Sequence, residues 1–270
     1  MPVDADAEVL SNARLSGDYC VVALRAPDLA ARIEPGQFVM VRTGQCDAPL
    51  LRRPYSVFDL IRDDDGQAVG FSILNQKVGT GSGMLYHARP GDRFDCLGPL
   101  GRPFTVVAPP VSAWMVAGGV GLAPFVTLAE RLAAAGTPMT LFYGARSAPQ
   151  LFCLDRFEPL GVRLELATED GSRGTEGRVT APLERELAAL PAGSRVMIYA
   201  CGPEAMLAAV GRLAARHGQP SELAMERQMG CGMGGCYSCV VRVRTPDGRS
   251  RYARSCLEGP VFNGDDIIWD

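Results

Sequence analysis

The fold is decided by residues 114–124, which read W-M-V-A-G-G-V-G-L-A-P. Residues 114–117 form an apolar run typical of a buried strand, and the glycines after them permit a tight turn. Pro124 suits the first turn of a helix, where its missing amide costs nothing. A strand, a glycine turn and a helix start let a pyrophosphate approach the helix N-terminus, so the stretch predicts a dinucleotide site. The residues expected there are Gly118, Gly119, Gly121 and Pro124.

The sequence around this stretch, from about 106 to 220, alternates apolar strands with alanine-rich helices. Strands are expected at 139–143, 163–167 and 196–200, which predicts a doubly wound parallel sheet with covering helices. G-G-x-G is shorter than the full G-x-G-x-x-G motif. A second turn strengthens the prediction, because nucleotides bind where parallel strands end. That turn is Cys201-Gly202-Pro203.

The first 105 residues read as short strands separated by turns, which predicts an antiparallel barrel or sandwich. Residues 52–56, R-R-P-Y-S, begin one strand. An arginine can pair with a phosphate, an aromatic ring can stack on a planar heterocycle, and a hydroxyl can hydrogen-bond a ring nitrogen. Residues 78–83, V-G-T-G-S-G, form a glycine-rich turn that opens a short helix, which suits a second phosphate. The order of the two motifs favours a flavin site.

Four cysteines near the C-terminus have the spacing C-x4-C-x2-C-x16-C. The first three match the plant-type two-iron ferredoxin pattern, in which a fourth cysteine follows later. Four thiolates must surround two irons, so three come from one tight, glycine-rich loop and one from across a hairpin. A structural zinc site and disulfides are the alternatives, although zinc knuckles favour paired C-x2-C and only one pair has that spacing. The expected ligands of a [2Fe-2S] cluster are Cys231, Cys236, Cys239 and Cys256.

The composition excludes several classes of protein. Of 270 residues, 47% are hydrophobic and 21% are charged, which is typical of a globular protein. The net charge of −3 gives no reason to expect nucleic acid or an anionic membrane as a partner. An uncharged run at 103–129 contains glycines and prolines, so a strand, turn and helix start explain it better than a membrane span.

The cysteine count and the N-terminus bear on the compartment. Nine cysteines are too few for a disulfide scaffold, and the N-terminus lacks a basic and apolar leader, so we expect a cytoplasmic protein. The cysteines outside the motif are expected to be small buried apolar residues; they are Cys20, Cys46, Cys96, Cys153 and Cys201.

The motifs, taken in order, resemble those of the ferredoxin–NADP reductase superfamily. The series comprises R-P-Y-S at 53–56, G-T-G-S at 79–82, L-G-P-L-G at 97–101, G-G-V-G-L-A-P at 118–124 and C-G-P at 201–203. It covers nearly the whole chain. The cysteine pattern and G-P-V-F at 259–262 narrow the resemblance to the electron-transfer subunits of class 1B dihydroorotate dehydrogenase.

This resemblance implies three domains: an FAD-binding antiparallel β-barrel at 1–105, an NAD-binding α/β domain at 106–220 and a small [2Fe-2S] domain at 221–270. It implies that the flavin is lined by Arg53, Pro54, Tyr55 and Ser56 and contacted by Leu74, Asn75 and Gln76. It further implies that Gly81 and Ser82 hold the pyrophosphate and that Cys201 approaches the nicotinamide.

The resemblance also implies an activity. NAD and FAD exchange a hydride, FAD and the cluster exchange single electrons, and the cluster exchanges them with a catalytic subunit that holds FMN. That subunit oxidises dihydroorotate to orotate in pyrimidine (UMP) biosynthesis, and the complex is a heterotetramer of two plus two subunits. The cofactors carry the chemistry, so no side chain is expected to be catalytic.

Other interpretations of the same motifs remain. One is the reductase of an aromatic-ring oxygenase, but the tail of about 50 residues is too short for the complete ferredoxin domain that such reductases carry. A second is the flavin subunit of another redox complex, such as a bifurcating transhydrogenase or a sulfide or sulfite reductase. A third is a binding module without turnover, against which the intact cysteines and both nucleotide motifs argue.

Two charged features are open to interpretation. Arg146 follows a strand and is either a solvated loop residue or a ligand for a 2′-phosphate that would favour NADP. A basic run lies beside the cysteines and is either a solvated hairpin face or the docking rim for an acidic partner; it comprises Arg242, Arg244, Arg249, Arg251 and Arg254.

Overall fold

A computed structural model of the chain describes residues 2–44 and 49–269; Cys46 lies outside them. The helices are α1 Pro27–Ala30, α2 Thr80–His87, α3 Phe125–Ala134, α4 Thr180–Ala188, α5 Glu204–Arg216 and α6 Ser255–Glu258. The strands are β1 Val3–Arg14, β2 Tyr19–Arg25, β3 Phe38–Arg42, β4 Arg53–Ser56, β5 Asp59–Arg62, β6 Ala68–Gln76, β7 Arg93–Leu100, β8 Ser112–Gly118, β9 Met139–Ala145, β10 Arg163–Thr168, β11 Thr175–Glu176, β12 Val196–Cys201, β13 Ser221–Ala224, β14 Val240–Arg244, β15 Ser250–Arg254 and β16 Val261–Asn263.

The first sheet is an antiparallel half-barrel with the strand order β4-β3-β7-β1-β2-β6-β5. Alternation along β2 puts Cys20, Val22 and Leu24 inside, as the period of two along a strand requires. These side chains pack on those of β6, including Phe71 and Ile73. One apolar face therefore closes around a core, and the predicted antiparallel β architecture is confirmed.

The second sheet has the order β11-β10-β9-β8-β12-β13-β16, and its strands are parallel except for β16. Its two faces carry separate cores. One core packs α3 against the sheet through Phe125, Leu128 and Leu132. The other packs α4 and α5, with Leu183 and Val210 among its members. Helices on both faces confirm the doubly wound α/β architecture.

The sheet continues past residue 220, where we expected the α/β domain to end. Strand β13 pairs with β12, and β16 returns to pair with β13. The cysteine segment, residues 225–260, leaves the sheet after β13 and returns to it at β16. Both ends of that segment are thus fixed at one sheet edge, which no local pattern in the sequence indicates.

The uncharged run at 103–129 is a linker, strand β8, a 3-10 turn at Gly119–Leu122 and the first half of α3. A single 3-10 turn separates the strand from the helix, so α3 begins at Phe125, directly after Pro124. Among the described residues, no helix is both long enough and apolar enough to cross a bilayer.

The linker between β7 and β8 is bound to the second sheet, and a salt bridge joins the second sheet's side of the molecule to the first sheet. The hydroxyl of Tyr199 on β12 donates to the carbonyl of Thr105 at 2.7 Å. Thr105 Oγ1 in turn donates to Glu222 Oε1 at 2.6 Å. Arg156, which lies in the connection between β9 and β10, pairs with Asp59 of β5. These contacts hold the strand ends of both sheets around one shared cavity.

Candidate functional site

A cavity of about 1190 Å³ lies between the two sheets and the cysteine segment. This volume exceeds the roughly 300–1,000 Å³ of typical small-ligand pockets and suits a dinucleotide. The predicted residues that line it are Arg53, Pro54, Tyr55, Ser56, Leu74, Asn75, Gln76, Gly81, Ser82 and Cys201. The structure therefore brings residues from all the flavin motifs, and Cys201 from the end of β12 in the second sheet, into a single cavity.

Strand β4 forms one wall and presents Arg53 and Tyr55. Burial raises the pKa of the Tyr55 phenol to about 12, because desolvation outweighs the attraction of Arg53. The hydroxyl therefore keeps its proton and can donate. Arg53 is exposed, and its guanidinium donates to the Leu51 carbonyl at 3.1 Å. A Cβ added to Gly81 would lie 3.7 Å from Arg53 Cγ, so the arginine and the glycine turn are neighbours.

Asn75 gives the clearest sign that a polar ligand belongs in this cavity. It is buried at the end of β6, and its Nδ2 donates to the carbonyl of Ser82 at 3.0 Å. Its Oδ1 is buried and has no hydrogen-bond partner within the described part of the chain. A buried acceptor without a partner costs about 1–3 kcal/mol. A donor on a flavin ring would satisfy it, so the residues present fit FAD.

Ser82 shapes the turn that opens α2. Its Oγ accepts hydrogen bonds from the backbone amides of Val78, at 2.9 Å, and of Gly79, at 3.0 Å. These bonds hold the start of the helix in place beside Arg53. A helix start with an arginine next to it is a suitable place for a phosphate.

Replacing Ser82 with alanine is therefore expected to weaken FAD binding. Two hydrogen bonds of about 1 kcal/mol each are lost, so the affinity should fall roughly tenfold or more. Ser82→Thr keeps the hydroxyl and is the matched control, with affinity close to that of the unaltered protein. Fluorescence titration of the apoprotein with FAD measures both, and equal affinities for the two variants would refute the assigned role.

The glycine-rich turn at residues 118–121, between β8 and α3, packs against the turn after β12. A Cβ on Gly121 would lie 2.5 Å from the carbonyl carbon of Cys201 and 2.7 Å from Gly202 Cα. A Cβ on Gly118 would lie 2.9 Å from Pro203 Cδ. The strand order around β8 and β12 reverses at this point, which is where α/β sheets bind nucleotides. The residue types and the topology fit NAD.

The predicted nucleotide residues differ in their access to solvent. Cys201 is buried and also lines the cavity, and burial raises the pKa of its thiol well above the usual value. Pro124 is buried behind the turn, whereas Gly118, Gly119 and Gly202 are half-buried. Arg146 is exposed after β9. Cys201 thus links the flavin cavity to the nucleotide edge of the sheet.

Glu226 is a site residue that sequence reasoning missed. It is the second residue after β13 and lines the cavity near Cys201. Its side chain is open to the cavity space, yet the surrounding protein desolvates the carboxyl and raises its pKa. A carboxylate two residues after a buried strand, at the carboxyl end of a parallel sheet, was the signal that could have revealed it.

The four motif cysteines lie close together at the far end of the cavity. Cys231 contacts Cys236, and Cys239 contacts Cys256. Hydrogen bonds from Ser238, and then from Cys231, lower the pKa of Cys236 to about 6. Burial, and then the hydrogen bond with Cys239, raise the pKa of Cys256 to about 12. The four sulfurs therefore form two pairs, and Cys231 of one pair is close enough to Cys256 of the other to affect its pKa.

Within residues 2–44 and 49–269, no three His, Cys, Asp or Glu side chains have the geometry to hold one metal ion. A zinc site needs three or four ligands on a single ion, whereas each iron of a two-iron cluster takes two cysteines. Two adjacent pairs of thiols fit the ligand set of a [2Fe-2S] cluster. The eight cysteines in the described part are also free of disulfides.

The two cysteine pairs have different surroundings. Cys239 and Cys256 are buried and pack on Met40 and Leu100 of the first sheet. Cys236 is exposed and Cys231 is half-buried. One pair faces the protein interior and the other faces the surface.

Ser238 connects the cysteine loop, residues 231–239, to the cavity. Its hydroxyl lies 3.1 Å from the sulfur of Cys236 and accepts from the amide of Gly230 at 3.1 Å. Ser238, Gly230 and Met229 all line the flavin cavity. A cofactor in the cavity and one on the cysteines would therefore share a wall. Sequence analysis singled out neither Met229, which precedes the motif, nor Ser238, which lies within it.

Family models match three consecutive parts of the chain. An oxidoreductase FAD-binding domain matches residues 6–104, and an oxidoreductase NAD-binding domain matches residues 115–212. The iron–sulfur cluster binding domain of dihydroorotate dehydrogenase B matches residues 226–268.

Similar curated proteins are named dihydroorotate dehydrogenase B (NAD(+)), electron transfer subunit. That of Desulforamulus reducens is 36% identical over 98% of this chain and 98% of its own length. That of Geobacillus thermodenitrificans is 37% identical over 87% of both. Among solved structures, a chain of an NADH-dependent reduced ferredoxin–NADP oxidoreductase has a TM-score of 0.83 and 27% identity, covering 98% of this chain and 90% of that one. The ferredoxin reductase of carbazole 1,9a-dioxygenase shares the fold, with a TM-score of 0.68 and 22% identity over 81% of this chain and 67% of that one.

Proposed function

The chain belongs to the family of dihydroorotate dehydrogenase B (NAD(+)) electron transfer subunits, and on that premise we propose that it carries electrons between NAD and an FMN-containing catalytic subunit. The family is one of NAD-linked oxidoreductase subunits with FAD, NAD and iron–sulfur domains. The reaction served is the oxidation of dihydroorotate to orotate in pyrimidine biosynthesis, with NAD as the electron acceptor.

One observation carries this proposal: a single cavity is lined by Tyr55, by Cys201 and by Ser238, whose hydroxyl contacts Cys236. A route from nucleotide to flavin to cluster needs all three sites to meet. When bound, FAD supplies the exchange between the two-electron chemistry of NAD and the one-electron chemistry of the cluster. The protein contributes position and electrostatics.

The residues that bind FAD have separate tasks in this proposal. Tyr55 offers a ring and a protonated hydroxyl, and Asn75 Oδ1 accepts a hydrogen bond from the ring system. Arg53 and the turn held by Ser82 bind the phosphates. The NAD site is assigned to Gly118, Gly119, Gly121, Pro124, Cys201, Gly202 and Pro203, of which the buried Pro124 acts by starting α3.

The cluster is assigned to two ligand pairs. Cys231 and Cys236 hold the iron nearer the surface, and Cys239 and Cys256 hold the iron nearer the first sheet. A cluster held by these four cysteines would supply one-electron transfer, with the exposed pair on the partner side and Ser238 between the cysteines and the cavity. We assign the three domains to residues 1–105, 106–220 and 221–270, with β13 and β16 of the last one built into the α/β sheet.

The proposed partner surface surrounds the exposed pair. Met233, Tyr237 and Leu257 are 58%, 62% and 44% exposed, and all three belong to the cysteine loop or to α6. Exposed apolar side chains beside a redox centre suit docking of another protein. We propose that the catalytic subunit covers them in a complex of two plus two subunits.

Met233→Glu tests this surface. A charge at the centre of an apolar interface is expected to reduce recovery of the partner in anaerobic affinity purification from the native host at least tenfold. FAD and iron content should stay unchanged, because the substitution keeps the backbone amide of Met233, which donates to Cys231 Sγ at 3.4 Å. Val106→Glu, at a 42% exposed apolar residue outside the cysteine segment, is the control.

Mass spectrometry identifies what the unaltered protein brings down. An FMN-containing dihydroorotate dehydrogenase subunit in equal amount supports the proposal. A different redox subunit in its place would overturn the assigned pathway and leave the cofactor sites standing.

A further inference from the structure

We propose that Arg254 positions the iron–sulfur cluster: it ties the loop of three cysteines to the helix of the fourth, and its charge raises the cluster's reduction potential. Arg254 ends β15 and directly precedes α6, which carries Cys256. The inference rests on the proposed ligand assignment, since it gives a role to an arginine next to those four cysteines.

The contacts of Arg254 reach across the ligand set. Its Nη1 donates to the carbonyl of Gly234 at 3.0 Å, and Gly234 lies between Cys231 and Cys236. Its guanidinium also lies over the ring of Tyr237, 4.8 Å from the ring centroid. One side chain thus contacts the loop on both sides of Cys236, while its own backbone leads to Cys256 within two residues.

The backbone of the loop depends on this support. Tyr237 has a φ of 56°, a left-handed conformation that costs an L-residue about 1–2 kcal/mol. Gly234 has a φ of 81°, and a Cβ there would lie 2.9 Å from Leu257 Cγ on α6. The loop therefore adopts one costly conformation, at Tyr237, and one that only glycine adopts readily, at Gly234, where it meets Arg254 and α6. The contacts with the guanidinium hold the loop in this shape.

The positively charged guanidinium of Arg254 lies against the cysteine loop. Its guanidinium contacts two neutral groups, the Gly234 carbonyl and the Tyr237 ring, while the Glu258 carboxylate accepts from the Arg254 backbone amide at 3.3 Å and is also attracted by its charge. The nearby carboxylate of Glu258 is paired with Arg251 at 2.6 Å. A cluster gains negative charge on reduction, and a positive group beside it stabilises the reduced form. The position of Arg254 therefore favours a higher potential.

Arg244 provides a matched control. It lies at the other end of the same hairpin, opposite Ser250, and is exposed. Arg244→Gln removes one positive charge from the hairpin without touching the cysteine loop. Comparing it with Arg254→Gln separates a local effect on the cluster from a change in net charge.

The experiment is an anaerobic redox titration of the FAD-loaded protein, followed by electron paramagnetic resonance, together with the rate of iron loss to a chelator. For Arg254→Gln we expect the ratio of reduced to oxidised cluster at a fixed potential to fall roughly tenfold, a shift of about 59 mV downward. Iron loss should be roughly tenfold faster. Arg254→Lys should restore most of the potential but not the slow iron loss, because an ammonium lacks the planar fork. Arg244→Gln should match the unaltered protein in both.

An unchanged potential and an unchanged rate of iron loss in Arg254→Gln would overturn the inference. If Arg254→Gln retains no cluster, Arg254→Lys tests the inference instead. Faster iron loss from Arg254→Lys than from the unaltered protein supports the inference, and an equal rate refutes it. The unaltered protein reports on the ligand assignment separately, since a protein without a two-iron spectrum would overturn the proposed function itself.

Discussion

Cys236→Ser is expected to abolish electron transfer to the partner while leaving the reaction between NADH and the flavin intact. Cys236 is exposed, so its replacement removes no packing from the core. A serine hydroxyl does not ionise readily and is a poor substitute for a thiolate on iron. Removing a direct ligand should cost more than the 10–100-fold typical of outer residues, so we expect at least about a 100-fold fall in cluster content.

Two assays separate the affected step from the preserved one. Reduction of a dye that takes electrons from the flavin should proceed at the normal rate, and reduction of the catalytic subunit should fall with the cluster content. Cys153→Ser is the matched control, because Cys153 is a half-buried free thiol outside the cysteine segment. Normal iron and sulfide content in Cys236→Ser would remove this residue from the ligand set.

The parts of the site that the sequence could predict are those encoded by local spacing. Three ligands within nine residues require a glycine-rich loop, so C-x4-C-x2-C identifies a cluster site without knowledge of the fold. The turn at 118–121 is similar, because close packing against Cys201 and Gly202 leaves no room for a Cβ on Gly121. Geometry that depends on neighbouring residues can therefore be predicted from residue types and their spacing.

The parts that sequence reasoning missed depend on contacts between distant segments. Glu226 lines the cavity only because β13 lies beside β12, and no motif marks it. The cysteine segment returns to the sheet through β16, which fixes both of its ends. Arg254 was grouped with a basic run, yet it contacts Gly234, 20 residues earlier. Periodicity and spacing carry no information on such partners.

The basic run shows why charge alone decides little. Arg249 pairs with Asp247 and Arg251 pairs with Glu258, so two of its members are partnered within the hairpin region. Exposed pairs of this kind contribute about 0–1 kcal/mol and leave little net charge for a partner. The structure gives these five arginines different surroundings. The apolar side chains beside the cysteines are therefore the better basis for docking.

Gly121→Ala is expected to have the second large effect, on NADH rather than on the cluster. The new Cβ would lie 2.7 Å from Gly202 Cα and 2.5 Å from the Cys201 carbonyl carbon, both of which are backbone atoms. Backbone cannot move aside as a flexible side chain can, so the two turns must separate. Overpacking in such a place costs about 1–3 kcal/mol or more. We expect the Tm to fall by several degrees and the KM for NADH to rise at least tenfold.

Gly17→Ala tests whether any added methyl has this effect, because Gly17 lies in a turn between β1 and β2 where a Cβ would meet no atom within 4 Å. It should leave both the Tm and the KM unchanged. The cluster spectrum of Gly121→Ala should also stay normal, since the three atoms nearest this glycine's Cβ position belong to Cys201 and Gly202 and none belongs to the cysteine loop. A lower Tm together with a normal KM for NADH in Gly121→Ala would show that NADH binding does not depend on the packing of these two turns. The nucleotide would then have to bind elsewhere than at the reversal of strand order between β8 and β12.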